Sequence, residues 1–149
     1  MRFGPWHLAT AGVIAGLACG GAARAPEAPS ASTAGEGALA RIYYWRAKPG
    51  MMDPYNRYVR EVAEPIDREA QRLGAFVSVT TYVNRDPASA WTHMRIFILR
   101  DSAQLAGLSR ALDSAGVRLE PDSAKRRARG AFAATLRDRV GDATAEILR

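Results

Sequence analysis

Cysteine is nearly absent from this chain, with a single one at position 19 of 149 residues, and histidine is almost as scarce, with only His7 and His93. A disulfide framework is therefore excluded, and thiol and metal chemistries start at a disadvantage. No His, Cys and carboxylate residues have the spacing of a metal site, no Gly-rich loop is built to cradle phosphate, and no Ser, His and Asp pattern stands out. Lysine is also rare: 19 of the 21 basic residues are arginine. The net charge is +6 and the sequence pI about 10.1, but the basic residues are dispersed, which argues against a nucleic-acid partner. What is present is enough for one domain with a core, since 48% of the residues are hydrophobic and 24% charged.

The N-terminus has the form of an address. Arg2 precedes an uncharged apolar stretch from Leu8 to Ala18, and Cys19 is followed by Gly20, Gly21, Ala22 and Ala23. A positive start, a short apolar segment and small residues at a cleavage point make a secretory signal. A spanning helix needs ~20 predominantly apolar residues, and this glycine-broken segment falls short. Gly16-Leu17-Ala18-Cys19 resembles the lipobox of bacterial lipoproteins, with Gly16 where leucine is usual. The resemblance implies removal of residues 1–18, acylation of Cys19 and anchorage in the lipid bilayer. It places the protein in the cell envelope, facing the periplasm or exterior. Gly20 lacks the aspartate that retains lipoproteins at the inner membrane, which points to the outer membrane. An acylated Cys19 leaves residues 20–149 with no cysteine.

Residues 19–40 are almost entirely Gly, Ala, Pro, Ser and Thr after the cysteine, and read as a flexible linker. A folded domain is expected over 41–149. Ile42 to Arg46 reads as a strand stopped at Pro49-Gly50. Asp53-Pro54 then caps a helix whose apolar stripe runs through Tyr55, Tyr58, Val59, Val62, Ile66, Ala70 and Leu73 to Gly74, with Pro65 kinking or dividing it. Phe76 to Asn84 and Trp91 to Leu99 read as a hairpin with a loop of about six residues. Asp101 caps a second helix closed by Gly116. Glu120-Pro121-Asp122 opens a third, with Phe132, Leu136 and Val140 on its apolar side, and residues 143–148 suggest a fourth, edge strand.

Strand, helix, strand, strand, helix, helix, strand is the order of an α+β, ferredoxin-like split βαβ antiparallel sheet with an extra helix. Helices cover one sheet face. The third strand nevertheless offers Thr92, Met94, Ile96 and Ile98 on one side and Trp91, His93, Arg95, Phe97 and Leu99 on the other. Two apolar-rich faces need two coverings, so a face-to-face homodimer is expected. The element order, Tyr44 to Gly50 before a helix, and the strand Trp91-Thr92-His93-Met94-Arg95 resemble the dimeric α+β barrel superfamily, which includes antibiotic-biosynthesis-type monooxygenases. That resemblance implies fold more than function, because its members range from cofactor-free oxygenases and isomerases to heme-degrading enzymes. The heme-degrading branch uses a first-strand asparagine and a helical histidine, neither of which occurs here. No cofactor is implied.

The candidate site is His93 as general base and Arg95 as oxyanion or carboxylate donor, with Tyr43, Trp45, Tyr82, Asn84 and Trp91 lining a small-molecule ligand pocket in the barrel. Two readings stay open. In one the chain binds a small apolar or aromatic ligand without known turnover. In the other it is a cofactor-independent monooxygenase or isomerase. Against both stands a packing role for the same side chains. The acidic residues Glu61, Glu64, Asp67 and Glu69, interleaved with arginines, read as a solvated helix face. Lys125-Arg126-Arg127-Ala128-Arg129 reads as an exposed face or a contact for anionic headgroups.

Overall fold

The computed structural model describes residues 38–148, so the expected signal segment, Cys19 and most of the expected linker lie outside the described residues. The chain forms β1 (Leu39–Ala47), α1 (Met52–Tyr58), a π-helical turn (Val59–Ala63), α2 (Glu64–Arg72), β2 (Ser78–Val83), β3 (His93–Leu99), α3 (Ser102–Leu119), α4 (Ser123–Leu136) and β4 (Arg137–Glu146). The strands make one sheet in the order β2-β3-β1-β4, with every neighbouring pair antiparallel. This is the ferredoxin-like α+β arrangement, with α3 and α4 together where a single helix would suffice.

Several boundaries differ from the sequence reading. β1 begins at Leu39, two residues into the expected linker. The first helix starts at Met52 behind Met51, which makes no side-chain cap, so Asp53 and Pro54 lie inside the first turn. Its later course is set by Pro65, which cannot donate to the carbonyl four residues back. The helix widens just before it, and the Glu64 N–H bonds Val59 O, five residues back. One extra residue per turn rotates everything downstream by about 100°, because an α-helix has ~3.6 residues per turn. Leu73, expected on the apolar stripe, is thus 48% exposed, while Asp67 turns inward and is buried.

α3 is capped as expected, with Asp101 Oδ1 accepting from Gln104 N at 2.8 Å. It runs past Gly116 to Leu119, because Gly116 packs inside against Ile66 and Arg129 and does not end the helix. Asp122 caps α4 by accepting from Ala124 N and Lys125 N. The fourth strand starts at Arg137, six residues earlier than read, so Val140 belongs to β4 and is exposed. Phe132 is also exposed, which leaves Leu136 as the buried member of that expected trio. The β2–β3 connection spans residues 84–92, longer than expected, because Asn84 and Asp86 accept from the Asp86 and Ala88 N–H groups and fold the loop on itself.

Strand alternation puts His93, Arg95, Phe97 and Leu99 on the helix side of the sheet. Ala70, Phe76, Phe97, Leu99, Leu108 and Ala115 form the main core, with the Phe76 and Phe97 rings edge to face at 5.0 Å. A second cluster joins Trp45, Tyr55, Val59 and Leu136. The space between these two clusters is where the polar side chains converge.

Candidate functional site

Register pairs Tyr43 with Arg95 and Trp45 with His93, so all four side chains face the helices. β4 adds Arg137 beside Ala47 and Arg139 beside Trp45. The register shifts between Tyr44 and Trp45, and this bulge leaves Val140 without a partner. An odd step in the alternation results, so Arg139 and Asp142 share one side and bond at 2.7 Å.

His93 is fully buried, with Tyr55 edge to face at 4.2 Å. Its Nε2 lies 2.9 Å from Asn56 Oδ1, an acceptor, so Nε2 carries the proton. Nδ1 then accepts from the Thr92 hydroxyl at 2.9 Å. The same hydroxyl oxygen accepts from Ala47 N at 2.7 Å and ties the ring to the end of β1. Burial, with a smaller effect from the positive charge of Arg137, pushes the His93 pKa down to about 4. The neutral ring is therefore the resident form at neutral pH. Burial also pushes the Tyr55 hydroxyl up to about 12.

Arg95 is the other buried polar group of β3, and its Nη2 pairs with Asp67 Oδ2 of α2. Burial lowers its pKa from the usual guanidinium value, yet a guanidinium remains charged. Arg137 stacks over Trp45 at 4.6 Å and reaches Tyr55 at 5.3 Å. Arg139 lies 4.9 Å from the Tyr43 ring centroid.

Two adjoining cavities open beside these groups. One, of about 470 Å³, runs between α2, α3 and α4 and includes Tyr58, Ile66, Asp67, Arg95, Arg129 and Arg137 in its walls. The other, of about 440 Å³, is floored by Tyr43, Trp45 and Phe97. They share Arg95, Leu112, Asp113 and Arg137. Each has the size of a small-molecule site.

No protein-family model and no curated protein matches the sequence. Among solved structures the chain is similar to HapK from Hahella chejuensis, with TM-score 0.52 and 14% identity over 74% of this chain and 92% of that one. It is also similar to a proposed monooxygenase from Shewanella loihica PV-4, with TM-score 0.45 and 10% identity over 76% and 96% of the two chains. A dimeric ferredoxin-like protein of unknown function from Jannaschia sp. CCS1 gives TM-score 0.46 and 18% identity over 76% and 100%. The fold is ferredoxin-like. Identities this low carry the architecture and no residue role.

Of the residues singled out in the sequence, Tyr43, Trp45, His93 and Arg95 come together on the helix side. Tyr82, Asn84 and Trp91 do not. Tyr82 pairs with Met94 and faces away from the helices. Asn84 lies in the β2–β3 loop. Trp91 precedes the strand, so period-two alternation with His93 does not apply to it, and it packs 6.1 Å from Tyr44 on the open sheet face. The cavities lie between sheet and helices, away from that open face.

Asp67, Asn56, Tyr55, Arg129 and Arg137 were not foreseen as site residues. Asp67 was legible only to a reading that let Pro65 shift the helix phase, since it then joins Val59 and Ala70 among the buried positions. Glu69, from the same acidic run, accepts from Arg72 Nε and Arg118 Nε, both at 2.9 Å, and clips α2 to α3. Its hydrogen bond with Arg72 is the main cause of a pKa lowered to about 2.

Proposed function

We propose that this chain is a lipid-anchored protein of the cell envelope that pairs with a second copy and binds a small apolar or aromatic molecule. The cavity pair carries this reading. Its walls combine aromatic surface from Tyr43, Trp45, Tyr58 and Phe97 with charged side chains, in a volume that suits a small molecule. His93 acting as base is the weaker alternative. Both its ring nitrogens are engaged within the protein, and a pKa of about 4 lies far from the near-neutral value that suits a general base.

Native mass spectrometry of the detergent-extracted protein tests the reading in one measurement. The expected species is a dimer of chains that begin at acylated Cys19, carrying a reproducible non-covalent mass. A chain retaining Met1 overturns the anchor, and protein free of any added mass across preparations counts against the bound molecule.

The second copy is expected on the open sheet face. Ile42, Tyr44, Met94, Ile96 and Ile98 alternate onto it, and Tyr82 is 48% exposed there. Ile96→Glu places a charge at the centre of that face without entering the core. It is expected to convert the dimer to monomer at micromolar concentration, read by light scattering, with the melting transition retained. A variant that stays dimeric shows that this face is not the contact.

A further inference from the structure

This inference rests on the cavity reading above, and the cavity walls are strongly asymmetric in charge. Five arginines line the two cavities, Arg95, Arg126, Arg129, Arg137 and Arg139, against two aspartates, Asp67 and Asp113. Not all are free. Arg126 donates to the Glu120 and Pro121 carbonyls, and Arg139 is paired with Asp142. Asp67 is engaged by Arg95. Among the described residues, Arg129 and Arg137 have no carboxylate within 4.0 Å.

Buried donors point the same way. The Arg95 side chain is 9% exposed, and its Nε–H meets no acceptor among the described residues. The Nε–H of Arg137 is likewise buried without an acceptor. These Nε–H groups have no accessible surface and do not face the cavities, but both guanidiniums belong to the wall shared by the two cavities, and cationic groups short of acceptors favour an anion beside them. Arg137 sits over the Trp45 ring at 4.6 Å, and a guanidinium carries its donors in a fork that matches a carboxylate.

We infer that the cavity takes a small organic carboxylate, its anion held by Arg95 and Arg137 and its apolar body laid against Tyr43, Trp45 and Phe97. The aromatic floor belongs to the same cavity as both arginines, so one molecule reaches all of them. Arg129, whose Nη2 comes within 3.5 Å of where a Cβ on Gly116 would sit, adds positive charge on the α3–α4 side.

The test is calorimetric titration of the detergent-extracted chain with 2-naphthoate, its neutral isostere 2-naphthamide, and phenyl phosphate. The acid is expected to bind at least tenfold more tightly than the amide. Arg137→Gln is expected to abolish that preference, and Arg137→Lys to restore part of it. Arg129→Gln is a second variant, away from the Trp45 stack, expected to weaken only the acid. Equal binding of acid and amide, or a preference that survives both glutamine variants, overturns the inference and leaves the cavity reading intact. Tighter binding of phenyl phosphate than of either naphthalene probe overturns the carboxylate assignment in favour of a phosphoryl group. Failure of all three probes at millimolar concentration overturns the inference and the cavity reading together.

Discussion

Asp67→Ala is expected to destabilise the protein by about 3–5 kcal/mol, the typical cost of removing one partner from a buried ion pair. The reason lies in what remains. Arg95 projects from the middle of β3 with 9% of its side chain exposed, and Asp67 is its carboxylate partner. A guanidinium does not escape by losing its proton, so the charge would stay buried and uncompensated. For a domain of this size, whose total stability is of order 5–15 kcal/mol, the loss is a large fraction. Removing both charges together behaves differently. Asp67→Leu with Arg95→Met replaces the pair by apolar groups of similar bulk, and such exchanges are often neutral or stabilising. The double variant is expected to recover most of the stability lost by Asp67→Ala in urea denaturation. A single variant that loses less than about 1 kcal/mol would mean that water in the cavity solvates Arg95, and that the pair is not what holds α2 to the sheet.

The fold was largely legible because its strands announce themselves by period. His93, Arg95, Phe97 and Leu99 share one side of β3 as alternation requires, and the apolar residues between them made a second covering an expectation. Side-chain partners across elements were less legible, for three local reasons. The π-helical turn before Pro65 shifts the phase of α2, which hides Asp67 from a constant 3.6-residue stripe. The bulge at Val140 brings Arg137 and Arg139 to the helix side, and its position depends on pairing with β1, which a single strand's pattern does not contain. Trp91 lies two residues before the strand begins, where alternation has no force, and so a period-two reading puts it on the wrong face. Asn56, the partner of His93, sits 37 residues away, and nothing in its local pattern marks it.

Acid is expected to weaken the protein well above the range in which carboxylates titrate. His93 is the only histidine in residues 8–149, and its pKa is about 4 in the folded chain against an ordinary 6.5. Below pH 6.5 the unfolded chain takes up a proton that the folded chain refuses, so stability falls as pH falls. The slope approaches ~1.4 kcal/mol per pH unit in the middle of the window and vanishes below about pH 4, where both states are protonated. The whole effect amounts to roughly 3 kcal/mol. Glu69, held at about pKa 2 chiefly by its hydrogen bond with Arg72, adds a loss only below its ordinary value of 4.5. Between pH 6.5 and 5 the slope therefore belongs to His93. Urea denaturation at half-unit steps through that window should show the decline in the native sequence. His93→Gln removes the titrating ring and should flatten it, with a lower but pH-independent stability above pH 5. A decline of equal slope in both proteins would place the responsible proton elsewhere, and a flat native profile would mean that the folded chain accepts the proton on His93 Nδ1 as the Thr92 hydroxyl turns toward the Trp45 carbonyl.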